Sequence, residues 1–225
     1  RPILFLHPGI GIDANAPVLD ALAKGGHVIA PTHPGFGKSE LPKGMSTVDD
    51  LSYFYLDLIE QRGLRDVLVV GVGMGGWIAA EMAIKNTSRI KKLVLVDAYG
   101  IKIGDKYARD IADVWFLDPQ KVLELKYVDT KHGVFDYPSM PESKLEIIAS
   151  NRETTARFCW EPYMHHPRLR HLGPEPLSEA FAAPYLLEQA RGLRKPVKNF
   201  LMDAAVVVGA PAKFVSDPNF DFAAS

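Results

Sequence analysis

The chain has 225 residues, 47% of them apolar, and a net charge of −1. That suits one globular domain with an inserted segment and gives no electrostatic case for a nucleic-acid or polyanion partner. A single cysteine, Cys159, excludes an internal disulfide and suits a reducing, cytoplasmic setting.

No run of about 18 apolar residues is present, so no membrane span is expected. The chain opens at Arg1 with neither Met nor a signal-peptide pattern, and a native start further upstream is expected.

Pro2 to His7 is a short apolar run, expected as a central strand, ending in His7-Pro8-Gly9-Ile10-Gly11. Two glycines at a strand's C-terminal end suit a loop that approaches a ligand. Residues 14–24 form a plausible helix closed by Gly25-Gly26. Residues 27–31 are the next strand, followed by the turn-rich Thr32-His33-Pro34-Gly35-Phe36-Gly37-Lys38-Ser39. Ser46 or Thr47 can cap the following helix, with Asp49 or Asp50 three residues on. Its Val48, Leu51, Tyr55, Leu58 and Ile59 fall at helical spacing, and it should stop near Gly63.

Residues 66–85, DVLVVGVGMGGWIAAEMAIK, organise the chain. Val67 to Val72 reads as a buried strand and Trp77 to Ala83 as a helix packed on the sheet. Gly71, Gly73, Gly75 and Gly76 fill the turn, where a direct strand-to-helix reversal needs dihedrals that glycine tolerates best. Ile90 to Val96 is another buried strand, leading into Asp97-Ala98-Tyr99-Gly100. Strands alternating with helices argue for a parallel sheet covered on both faces.

From about 102 to 194 this rhythm disappears. Helical patches at 119–125 and 143–158 stand among many aromatics. The segment reads as a mainly helical lid, 102–194, inserted between core segments 1–101 and 195–225. Its Trp115, Phe158 and Trp160 would line a mostly apolar pocket; the competing reading is a helical appendage whose aromatics are only core. Residues 204–209 return to strand character.

Four segments together resemble the α/β-hydrolase superfamily, in particular its lidded small-molecule esterases and carbon–carbon bond hydrolases. LHPGIG resembles the oxyanion loop. APTHPGFGKS resembles the A-P-D-x-P-G-x-G-x-S loop, with Thr32 where Asp is usual. VGVGMGG resembles the G-x-S-x-G nucleophile elbow, and AVVVGAPAKFV the strand and loop that carry the catalytic acid.

The resemblance implies an α/β-hydrolase fold: a mostly parallel sheet with helices on both faces and an inserted helical lid. It implies a triad of nucleophile, acid and histidine. Here the nucleophile position is Gly73, the acid position is Ala212, and no histidine follows His171. The family also has further strands before and after the segments present, so the chain appears incomplete at both ends. What survives side-chain loss is an oxyanion site built of backbone N–H groups: Met74 at the helix start, and the His7 loop with Pro8 and Gly9 beside Gly73.

Other candidates have structural readings. His7 and His33 suit loop bracing. His132, His165, His166 and His171 lack the spacing of a metal site. Cys159 suits a buried inert thiol, and Asp97 suits a structural role. The expected function is a weakly active or inactive homologue that binds a small apolar or aromatic molecule and needs no cofactor. Two alternatives stand. One is an active hydrolase with an unorthodox nucleophile, or an inactivated or incomplete form of one. The other is a nucleotide-binding oxidoreductase using the glycines and Asp97.

Overall fold

The computed structural model describes residues 1–102, 107, 111–126, 130–169, 205–208 and 213–214. Their order is β1 (Pro2–Leu6), α1 (Pro17–Ala23), β2 (His27–Ile29), α2 (Val48–Gln61), β3 (Val67–Val72), α3 (Met74–Lys85) and β4 (Ile90–Val96). Then follow α4 (Pro119–Lys126), α5 (Glu142–Cys159), β5 (Ala205–Val208) and β6 (Lys213–Phe214). The strands form one six-stranded sheet in the order β2-β1-β3-β4-β5-β6. Strands β1 to β4 pair in parallel.

Residues of alternate parity along each strand pack on opposite faces of the sheet. Leu4, Leu6, Val67, Val69, Leu93 and Leu95 pack with α2 and α3. Ile3, Phe5, Leu68, Val70, Val94 and Val96 pack on the other face with Leu22 of α1. The strands therefore read as continuous apolar runs, as strands buried on both faces do. Helix α2 starts as its sequence dictates. Thr47 accepts from the Asp50 N–H at 3.1 Å, and the Asp50 carboxylate accepts from the Thr47 N–H at 2.9 Å.

The helices α4 and α5 stand where the sequence places them, one residue longer at each end for α5 and one residue longer at the C-terminal end for α4. The remainder of 102–194 lies largely outside the described residues. Strand β5 falls inside the 204–209 expectation, but its direction differs from that of β1 to β4. It pairs antiparallel to β4, with Ala205 opposite Val96 and Val208 opposite Leu93. It therefore enters beside the end of β4 and leaves beside its beginning. A loop bringing an acid to the Gly73 end of the sheet needs a strand running the other way. Ala212 itself lies outside the described residues. Among the described residues, no helix is long and apolar enough to cross a membrane.

Candidate functional site

Gly73 stands at the tip between β3 and α3, as the N-cap of α3 with φ 54° and ψ −114°. Its N–H donates to Val96 O at 2.9 Å, and its own carbonyl accepts from Tyr99 N at 3.0 Å and Trp77 N at 3.2 Å. The tip is thus tied to the end of β4 as well as to its own helix.

The neighbouring glycines are bare for lack of room. A Cβ at Gly75 would lie 2.1 Å from Leu6 O, one at Gly71 2.4 Å from Gly75 O, and one at Gly76 2.6 Å from the Ala98 Cβ. These contacts let α3 lie directly on β1 and β4. They abut protein rather than open space. Gly73 is different. A Cβ there would meet Pro8 at 3.5 Å and the Tyr99 ring at 3.7 Å, ordinary van der Waals separations. Only the positive φ favours glycine, and a nucleophile elbow holds its serine under such strain.

The His7 loop borders this position and is fixed by a buried polar chain. His33 N–H donates to His7 Nε2 at 2.9 Å, so His7 carries its proton on Nδ1 and donates it to Pro8 O at 2.7 Å. His33 Nε2–H donates to His7 O at 2.9 Å, and the Tyr55 hydroxyl donates to His33 Nδ1. The two imidazoles lie 3.6 Å apart. Burial lowers the His7 pKa to about 4. Burial, the neighbouring His7 and a smaller opposing backbone bond leave His33 well below its ordinary value. Both rings are neutral braces.

Pro8 has no N–H to give. Its carbonyl accepts from His7 and from Gly11 N at 2.8 Å. A planar trans peptide sets the Gly9 N–H opposite to that carbonyl. Among the described residues, no hydrogen bond engages the N–H of Gly9 or of Met74. Two free donors therefore belong to the segments that meet at Gly73.

Among the described residues, no side chain here replaces a nucleophile. Burial first, then the Asp97 charge, raises the Tyr99 pKa and keeps its hydroxyl protonated. Burial pushes the Cys159 thiol up to about 12. Asp97 is exposed, with φ 46°. His165 donates to Tyr163 O, while His166 meets the buried Glu81 at 2.8 Å. His171 lies outside the described residues, as does the side chain of His132.

His7, Pro8, Gly9, Gly73 and Met74 come together. The three aromatics expected as lining have different surroundings. Phe158 is buried, stacked on Phe36 at 6.4 Å. Trp160 is 65% exposed. Trp115 lies under the Arg152 guanidinium at 5.4 Å. A surface groove lined by Tyr53, Leu56, Lys85 and Arg89 lies at the other end of α3.

Three residues that sequence reading missed together tie both loops to α5. Asn151 Nδ2 donates to Ile10 O at 3.0 Å, and Asn151 Oδ1 accepts from Gly37 N at 2.8 Å. Thr154 donates to Gly35 O at 2.9 Å and Thr155 to Gly9 O at 2.6 Å. The available signal was Asn-x-x-Thr-Thr, polar residues at i, i+3 and i+4 on one face of a helix.

The alpha/beta hydrolase fold family matches residues 1–136. A solved meta-cleavage product hydrolase from Pseudomonas fluorescens IP01 is 21% identical with a TM-score of 0.51, over 80% of this chain and 68% of that one. That likeness is one of fold.

Curated relatives bring a second similarity. A formamidopyrimidine-DNA glycosylase from Acidithiobacillus ferrooxidans is 50% identical over 56 residues, 25% of this chain and 21% of that protein. One from Shewanella pealeana is 28% identical over 188 residues, 80% of this chain and 65% of that protein. The chain spans about a fifth of the length of the first of these relatives. The hydrolase-fold match reaches from Arg1 through all of β1 to β4 and covers more than half of the sequence, and the chain belongs to the alpha/beta hydrolase fold family.

Proposed function

We propose that this chain is an α/β-hydrolase-fold protein that has lost its catalytic side chains and binds a small apolar or aromatic molecule at the Gly73 tip, with residual hydrolysis at most. One observation carries the reading: at Gly73 a Cβ fits, yet none is present. Packing demands glycine at 71, 75 and 76, but at 73 it accounts for nothing beyond the backbone angle. A position shaped to display a side chain displays none.

The free N–H groups of Met74 and Gly9 support an oxyanion-type site. Backbone donors at a helix N-terminus favour a carbonyl oxygen or a carboxylate. Residues 102–194 would roof this site as a lid. No cofactor enters the reading, and the protein acts in the cytoplasm. We infer no nucleic-acid partner from the similarity to DNA glycosylases, because a net charge of −1 supplies no overall excess of positive charge for phosphates.

Phenylacetate, an aromatic carboxylate, is a direct probe. Titration followed by ¹H–¹⁵N spectra should shift the Gly9 and Met74 amides together and saturably. Shifts confined to the Lys85–Arg89 groove, or no saturable shift at either amide, would overturn the proposal.

A further inference from the structure

We infer that Asn151, Thr154 and Thr155 of α5 are positioning residues, which lock the His7 loop bordering Gly73 to the loop after β2 and thereby hold the Gly9 N–H in its donor orientation. The inference rests on the reading of that N–H as part of the ligand site.

The argument is one of fit on both sides of the contact. A Cβ at Gly9 would lie 2.6 Å from Thr155 Oγ1, one at Gly11 2.7 Å from Asn151 Nδ2, and one at Gly35 3.0 Å from Thr154 Cγ2. Each glycine leaves the space that one polar side chain of α5 fills. Each of those side chains then bonds backbone of the loop it enters, at Gly9, Ile10 or Gly35. Asn151 joins the loops to each other, since its two ends bond Ile10 O and the Gly37 N–H. All three side chains are buried, so these bonds are shielded from competing water.

The consequence follows from peptide geometry. Gly9 is held at both of its peptide planes. Its carbonyl accepts from Thr155, and the plane before it is fixed by the two donors on Pro8 O. The Gly9 N–H lies in the plane fixed at Pro8 O, and Thr155 holds the plane that follows, which keeps the Gly11 donor in reach of Pro8 O. Loops carry function only where a scaffold holds them, and here part of the scaffold comes from the inserted segment. Phe158, one helical turn beyond Thr154, anchors the same face of α5 against Phe36. Within the inserted segment, this helix acts as a strut for the loops.

Amide hydrogen exchange of the full chain tests the inference without any ligand. In Thr155→Val the Gly11 amide should exchange about ten-fold faster, as one buried hydrogen bond is lost. The amides of β3 and β4 should stay within about two-fold of wild type, the expectation for local opening. Thr155→Ser, which keeps the hydroxyl, should restore wild-type exchange. Asn151→Ala, read at the same Gly11 amide, gives the answer should Thr155→Val fail to fold.

Unchanged exchange at Gly11 in both variants would overturn the inference. So would equal acceleration of Gly11 and the β4 amides, which marks a merely structural contact. Phenylacetate shifts at Gly9 should weaken about ten-fold in Thr155→Val, in proportion to the same lost bond. Absence of those shifts from wild type counts against the binding site alone, because the exchange result still decides the role of α5.

Discussion

Gly73 and Gly75 stand two residues apart under opposite constraints. At Gly75 a methyl group would overlap backbone oxygen of β1, and at Gly73 it would find ordinary contacts. Gly75→Ala should therefore destabilise by about 3 kcal/mol or more, because neither α3 nor β1 can give way. Gly73→Ala should cost only about 1–2 kcal/mol, the strain of a positive φ. Urea unfolding of both variants checks this order, and a reversal would mean that room, not angle, selects glycine at 73.

The sequence made Gly73 legible, since its place in the five-residue spacing Gly71-x-Gly73-x-Gly75 is explicit. It did not reveal which glycines are sterically forced. Nor did it reveal Thr155 against Gly9, because those residues are 146 apart and no local pattern links them.

At the scale of elements, the β1 end and the loop after β2 are joined through two neutral buried histidines. The sign of their pH effect is fixed by the lowered pKa values. The unfolded rings gain protons as pH falls below 6.5, while folded His7 resists until about 4 and His33 lies well below its ordinary value. Stability is full above pH 6.5 and is lost as pH falls from there toward 4. At pH 5 the loss should be about 2 kcal/mol for each ring. Equilibrium unfolding at pH 7 and pH 5 measures it, and His33→Gln should reduce the dependence by about half. A flat profile across that range would contradict the tautomers assigned here.

Elements with strong periodicity were readable: α2 through its apolar spacing and capping box, α5 through its length. The second strand was expected over 27–31 but spans His27–Ile29, because pairing with β1 ends at Leu4. The antiparallel run of β5 was not readable. A short valine-rich strand suits either direction, and its neighbour decides.

Across the whole molecule, a sheet buried on both faces presents one edge where β1, β3 and β4 all end. The His7 loop, Gly73 and Tyr99 meet there, and α5 is bonded over the two glycine loops beside them. That convergence is what the fold class implied from sequence, and it follows from parallel strands sharing one C-terminal edge. The imidazoles are occupied at both nitrogens, burial raises Tyr99, and burial raises Cys159.

The most direct test is the release of nitrophenolate from p-nitrophenyl acetate by wild type and by Gly73→Ser. Wild type should show no burst and a rate at most about 10³-fold over buffer, the contribution of an oxyanion site and binding alone. Gly73→Ser should likewise show no rapid burst, because among the described residues no free histidine stands ready to activate the restored hydroxyl. Sustained, saturable turnover by wild type, persisting in Cys159→Ala, would contradict the account.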